Sequence, residues 1–215
     1  MIKACIFDLD GTLADTIESL SYSVGKTLKE MGLAQISREE CQSFVGNGAR
    51  RLVELSICAA GGDKSRFDEG MEIYRRIFDD NCTYHVTPYE GVENTLKQLR
   101  ERGVKLAVLS NKPHKQTVKV VEGIFGKGTF DLIYGQQESI ARKPDPEGVN
   151  RILNEFEISD KECLYIGDSE VDIVTGNNAG TKTVGVTWGF RTKEQLEEAG
   201  AGILIDEPQE LVRFI

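Results

Sequence analysis

Two aspartates stand two residues apart in Asp8-Leu9-Asp10, directly after the apolar run 4–7. Side chains of a strand alternate with a period of two, so both carboxylates leave its tip on the same side. Like charges there repel unless a cation lies between them or one carboxyl keeps a proton, and either outcome serves catalysis. Gly11 and Thr12 follow, a permissive turn whose backbone N–H groups can face a phosphate. In isolation, Asp-x-Asp-Gly is also an ordinary turn after a strand.

Three further clusters give the pair company. Ser110 and Asn111, just past the apolar run 104–109, offer a hydroxyl and an amide that can donate to phosphate oxygens or simply turn the chain. In Arg142-Lys143-Pro144-Asp145-Pro146 the prolines restrict the backbone and fix the direction of Lys143. Its ammonium suits a phosphate clamp and would hold a neighbouring carboxylate ionised. The plainer reading is a surface turn, with Pro146 at the first position of the next helix. Gly167-Asp168-Ser-Glu-Val-Asp172 follows the apolar run 164–166. Hard cations such as Mg²⁺ prefer oxygen ligands, so Asp8, the backbone carbonyl of Asp10 and Asp168 form a partial shell for one. Asp172 would orient a metal-bound water or Lys143 from behind. Alternatively, Asp168 and Asp172 are acids favoured at a helix N-terminus.

These clusters need elements that bring them together. Short apolar runs separated by helical periodicity predict strands at 3–7, 104–109, 130–134, 163–166 and 183–186, with helices at 92–102, 115–124, 146–156 and 172–179. The pattern is that of an α/β fold with a doubly wound parallel sheet. Between the first strand and the rest lies a stretch with helical periodicity and no strand, over 17–31, 38–44, 49–60 and 65–81, entered through the capping signal Asp15-x-x-Glu18. The expected organisation is a catalytic core of residues 1–14 and 85–215 with a small all-helical cap domain, 15–84, inserted into it.

All four clusters fall at the carboxyl ends of predicted parallel strands, where open α/β sheets bind ligands. Taken in order, Asp8-Leu-Asp-Gly-Thr12, Ser110, Lys143 and Gly167-Asp168-Ser-Glu-Val-Asp172 resemble the four motifs of the haloacid dehalogenase superfamily, over essentially the whole chain. Phe44-Val-Gly-Asn-Gly-Ala-Arg50 and Val186-Thr-Trp-Gly-Phe-Arg191 are similar to its phosphoglycolate phosphatase-like branch. The resemblance implies a strand order of 3-2-1-4-5, counted by appearance in the chain. It also implies a Mg²⁺-dependent phosphatase for a small phosphomonoester. In that reading Asp8 is the nucleophile that forms a phospho-aspartate and Asp10 the general acid and base. Gly11, Thr12, Ser110, Asn111 and Lys143 bind phosphate, while Asp8, Asp10 and Asp168 bind metal with Asp172 behind them. An acid at Asp10 is the phosphatase and phosphomutase pattern, which discounts carbon–halogen and carbon–phosphorus cleavage. A sugar phosphomutase, an inorganic pyrophosphatase and, remotely, a phospho-accepting signalling receiver are the competing activities. Within the branch, Thr175-Gly-Asn-Asn178 departs from the usual alanine, and Gly176 should weaken its helix by roughly 1 kcal/mol relative to Ala.

In the cap, Gly46-Asn47-Gly48 opens a predicted helix and could present N–H groups and Arg50 to a substrate carboxylate or second phosphate, or serve as a plain helix entry. Composition bounds the partners. The chain has 215 residues and a formal charge of −9, which disfavours nucleic acid because that binding rests on clustered Lys and Arg. No apolar stretch reaches the roughly 18 residues of a membrane span, so a cytoplasmic location is expected. Five scattered cysteines without a CxxC and only two histidines argue against a disulfide framework, a zinc cage or a Cys-His pair. Oligomeric state is not legible in these features.

Overall fold

Strand β1 (Ala4–Phe7) is buried along its whole length. Its even and odd residues face two different cores: Cys5 and Phe7 join a large one, Ala4 and Ile6 a smaller one. That double burial is why the parallel strands read as continuous apolar runs rather than alternating ones. The computed structural model describes residues 1–215. After β1 the chain makes a two-residue strand β2 (Ala14–Asp15) and four helices, α1 (Ile17–Glu30), α2 (Arg38–Ser43), α3 (Gly48–Ala59) and α4 (Phe67–Asn81). It returns through β3 (Thr87–Pro88) and then alternates: α5 (Val92–Glu101), β4 (Lys105–Pro113), α6 (His114–Phe125), β5 (Leu132–Gln136), α7 (Glu147–Phe156), β6 (Cys163–Gly167), α8 (Glu170–Asn178), β7 (Lys182–Val186), α9 (Lys193–Glu198) and β8 (Leu204–Ile205).

The main sheet has the order β5-β4-β1-β6-β7-β8, with every pairing parallel. Its first five positions reproduce the 3-2-1-4-5 expectation, and β8 adds a sixth strand too short to leave a periodic signal. β2 and β3 pair antiparallel, Ala14 opposite Pro88 and Asp15 opposite Thr87. The entry to the helical segment and its exit are thereby tied at one point beside the sheet. Leu13, Ala14 and Ile17 carry the large core from the sheet into the helices, where Leu28, Leu52, Ile57 and Phe78 continue it. No helix is long and apolar enough to cross a membrane.

Several local expectations need correction. Strand β4 continues four residues beyond Leu109, through an irregular register, to Pro113. The carrier of Ser110, Asn111 and Lys112 is therefore strand end rather than loop. Pro146 sits at the N-cap of α7, one place before the first helical residue. At α1 the cap is Thr16, and Asp15 instead accepts from the Ile17 N–H at 3.1 Å. Helix α8 begins at Glu170, two residues early, because Ser169 and Asp172 form a reciprocal capping box.

Gly176 also changes meaning. It lies on α8 where the helix packs on β7, and a Cβ there would overlap the hydroxyl oxygen of Thr183 and lie 2.9 Å from its Cγ2. The glycine thus permits close helix–sheet approach, and its low helix propensity is secondary. Gly176→Ala is expected to destabilise by about 1–3 kcal/mol from overpacking, despite the roughly 1 kcal/mol that Ala gains in helix propensity. In a Thr183→Ala background the same change should be neutral or stabilising. Urea denaturation of the four proteins measures the coupling, and additive effects would refute the packing explanation.

Candidate active site

The strand tips converge on a cluster of buried charge. Asp8 follows β1, Asp168 follows β6, and Asp172 projects from the first turn of α8; one carboxylate oxygen of each lies within 4.8 Å of the others. All three are buried, with Asp8 7% and Asp172 0% exposed. Lys143 reaches in from the loop before α7, its Nζ 2.8 Å from Asp8 Oδ1 and 2.7 Å from Asp172 Oδ1. Burial alone would lower the lysine's pKa, but the attraction of Asp172 and Asp8 overrides it and holds the ammonium well above its ordinary range.

The four groups are not equivalent. Asp172 is saturated with donors: Lys143 and the Tyr165 hydroxyl, at 3.1 Å, bind Oδ1, while the Ser169 hydroxyl, at 2.5 Å, and the Ser169 N–H bind Oδ2. Its task here is to hold Lys143. Asp168 accepts from the Thr12 hydroxyl at 3.1 Å and the Phe190 N–H at 2.7 Å. Gly11, at φ +90°, and Gly189 press against it, and a Cβ on either would overlap its side chain. Asp8 receives Lys143 on Oδ1 and lines the adjoining cleft.

Three ionised carboxylates facing one ammonium leave a surplus of two negative charges. Burial, with Asp172 and Asp10 nearby, outweighs the pull of Lys143 and pushes Asp8 up to about 7; Asp168 is raised too, by burial and then by Asp172 and Asp8. A hard divalent cation fits this donor set, because it cancels the surplus and takes oxygen ligands. Asp8 and Asp168, with oxygen capacity left, are the carboxylates that would hold it.

Asp10 points to a different partner. Its carboxylate forms an ion pair with Lys112 Nζ, a residue overlooked in the motif reading. Lys112 is 4% exposed, and its Nζ also lies 5.4 Å from the centre of the Phe78 ring on α4. The only sequence signal was a lysine at the end of an apolar strand, where a solvated side chain is the ordinary outcome. Ser110 lines the same cleft, with its hydroxyl accepting from the Lys112 N–H at 3.2 Å. Asn111 departs from its expected role as a phosphate donor. Its amide nitrogen donates to the carbonyls of Gly46 and Lys143, at 3.0 and 3.2 Å, and its oxygen accepts from the Lys143 N–H at 3.0 Å. Thr12 likewise spends its hydroxyl on Asp168.

The loop before α3 closes over this cluster. Its successive carbonyls are each taken by the core: Val45 by Arg191 at 2.7 Å, Gly46 by Asn111, and Asn47 by Arg142 at 3.2 Å. Gly46 and Gly48 line the cleft beneath, and at Gly48, φ +78°, a Cβ would come within 3.1 Å of the Asn111 carbonyl. Arg50 is not brought into the cleft; it is exposed and lies over the Phe67 ring at 4.7 Å. The cleft spans about 450 Å³ with its open mouth. Its helical wall is Leu20, Leu52, Tyr74 and Phe78, extended by Val45 of the loop, and its floor holds Asp8, Asp10, Ser110 and Lys112.

Residues 5–186 match the family model described as haloacid dehalogenase-like hydrolase. The chain belongs to that family. Proteins similar to it include the phosphoglycolate phosphatase of Aquifex aeolicus, 32% identical over 100% of this chain and 97% of the relative. That of Rhodobacter capsulatus is 36% identical over 89% and 87%. A crystal structure described as a predicted phosphoglycolate phosphatase from Haemophilus somnus superposes with a TM-score of 0.92, at 26% identity, over 99% of this chain and 97% of that one.

The raised Asp8 has a measurable sign. A carboxyl with a higher pKa in the folded than in the unfolded state binds more protons when folded, so its contribution is full below the unfolded value near 3.8 and is lost as pH rises towards about 7. Cation-free protein should therefore lose stability over that window, by up to about 1.4 kcal/mol per pH unit for one proton. Millimolar Mg²⁺ should flatten the loss, because the charge it must relieve is then neutralised. Urea melts in chelator and in Mg²⁺ at pH 5 and 7.5 test this, and parallel profiles would count against a cation between Asp8 and Asp168.

Proposed function

We propose that this haloacid dehalogenase-like phosphatase hydrolyses a small phosphomonoester of the phosphoglycolate kind through a phospho-aspartate on Asp8, with Mg²⁺ as its cation. The observation that carries the reading is the pairing of two differently supported aspartates at one strand tip. Asp8 sits within the acid cluster against Lys143, and Asp10 sits in the cleft with its own partner. The names of the relatives support the substrate class.

Bound Mg²⁺, held by Asp8, Asp168 and the backbone carbonyl of Asp10, would supply positive charge against the transferring phosphoryl oxygens. The remaining steps fall to the chain's own groups. Asp8 attacks phosphorus, the ester bond to the leaving oxygen breaks, and Asp10 gives that oxygen its proton. Asp10 then removes a proton from the water that attacks the acyl phosphate, which frees phosphate and restores Asp8. Lys143 opposes the burial that raises Asp8 and offers its remaining donor to the phosphoryl group, with the Ser110 hydroxyl beside it. The expected Gly11 and Thr12 N–H donors are instead spent on the carbonyls of Ala14 and Leu9, at 3.0 and 3.3 Å. Helices 15–84 act as a cap: the apolar wall they lay over the cleft excludes water during transfer.

That wall also weighs against a sugar phosphomutase. Leu20, Val45, Leu52 and Phe78 give a sugar's hydroxyls no partners and Tyr74 offers only one hydroxyl, while each unpaired buried hydroxyl costs roughly 1–3 kcal/mol. Five free thiols, four of them buried, fit a reducing cytoplasm.

Phosphate release from a panel of phosphomonoesters with Mg²⁺ tests the proposal. Asp8→Asn should abolish turnover with the fold intact, and retention of a tenth of wild-type activity would sink the covalent mechanism. Asp10→Asn should cost roughly 10²–10⁴-fold on alkyl phosphates and far less on aryl phosphates, whose leaving groups need no acid. Equal losses on both would remove Asp10 from proton transfer.

A further inference from the structure

Lys112 is the one cationic side chain lining the cleft that is not committed to the acid cluster. Lys143 is held between Asp8 and Asp172, Arg50 lies outside over Phe67, and Arg142 and Arg191 bind loop carbonyls. No cation comes from the helical wall. Burying an ammonium there is costly unless it is paired, and a lysine needed only to cover apolar surface would turn its head to water. Lys112 instead keeps its head inside, paired with Asp10 and set against the Phe78 ring.

We propose that Lys112 is the specificity-determining residue that receives the anionic end of a short phosphorylated acid. The proposal rests on the phosphatase reading, since it takes Asp10 as the mark of the leaving oxygen's position. A group bonded directly to Asp10 lies one contact beyond that oxygen. In a two-carbon phosphorylated acid, the carboxylate is bonded to the carbon that bears the leaving oxygen, so its oxygens fall at a comparable distance. An ammonium has three donors, and the ion pair with Asp10 needs one. The others can bind the carboxylate while Lys112 still holds Asp10 towards the ester. The apolar wall suits a substrate that carries no further polar group, and its low polarity strengthens the single charge contact.

Two esters of one skeleton separate this from a purely structural role: 2-phosphoglycolate and ethyl phosphate, whose methyl replaces the carboxylate. Wild type should prefer phosphoglycolate. Lys112→Met should lower its kcat/KM by roughly 10- to 100-fold more than that of ethyl phosphate, the worth of a charge-assisted hydrogen bond. Lys112→Arg should recover part of the preference. Equal loss on both esters would overturn the proposal and reduce Lys112 to a support for Asp10. Should Lys112→Met fail to fold, wild-type inhibition decides: 3-phosphonopropionate should bind roughly 10- to 100-fold more tightly than propylphosphonate, and equal inhibition overturns the assignment. Active wild type without this discrimination defeats only the role of Lys112. Absence of phosphate release from every ester, or its persistence in Asp8→Asn, defeats the phosphatase reading and the assignment with it.

Discussion

Lys143 is the single ammonium among three buried carboxylates, and the geometry of the site depends on that imbalance. Desolvating charges is costly, and the mutual attraction of a buried pair repays it only with good geometry and further hydrogen bonds. Asp172 meets those terms through Lys143, Tyr165 and Ser169. Asp8 and Asp168 do not, and the unmet demand is concentrated in the gap between them. The fold supplies that gap by topology: β1 is central, β6 is its neighbour, and the chain crosses to the other side of β1 through β4. At such a switch point, strand tips diverge and leave room for a ligand.

Supports around this cluster reach the helical segment through few bonds. Asn111 holds the backbone of Lys143 with one end of its amide and shares the other between Lys143 and Gly46. Phe190 donates to Asp168, while its own carbonyl accepts from Gln42 and the adjacent Arg191 binds Val45. The loop at 45–47 therefore rests on the same residues that place Lys143 and Asp168. Withdrawal of that loop would break several hydrogen bonds next to the acid cluster at once. Cover and chemistry share supports in this arrangement.

Much of this was legible because it is periodic or local. The places of five strands along the chain, the helical insertion and the placing of Asp8, Lys143, Asp168 and Asp172 at strand tips follow from apolar runs ending in polar clusters, whereas the order of the strands came from the family resemblance. What escaped was set by three-dimensional neighbours. Lys112 reads as a surface lysine until α4 places Phe78 beside it. Asn111 reads as a donor with free hands until Gly46 and Lys143 occupy them. Gly176 reads as a propensity defect until Thr183 fills the place of its missing Cβ. Arg50 was singled out because a glycine-rich helix entry precedes it, but the rotation of α3 carries it to the exposed side over Phe67. β8 has two residues and α9 six, too few to declare a period.

The location of Lys112 on the sheet has a consequence for selectivity. A recognition cation carried by a cover that moved would meet the substrate only on closing and would arrive with the positional error of that movement. On β4, one residue past Asn111, Lys112 is as fixed as the strand and stays within a bond of Asp10. The helical wall then needs no charged group of its own. By replacing water with Leu20, Leu52 and Phe78, it lowers the local dielectric around charges already in place, which strengthens the Asp10–Lys112 pair and any anion beside it. Charge recognition by the sheet and water exclusion by the helices are thus separate tasks, and an apolar cover tolerates sequence variation that a fixed ion pair does not.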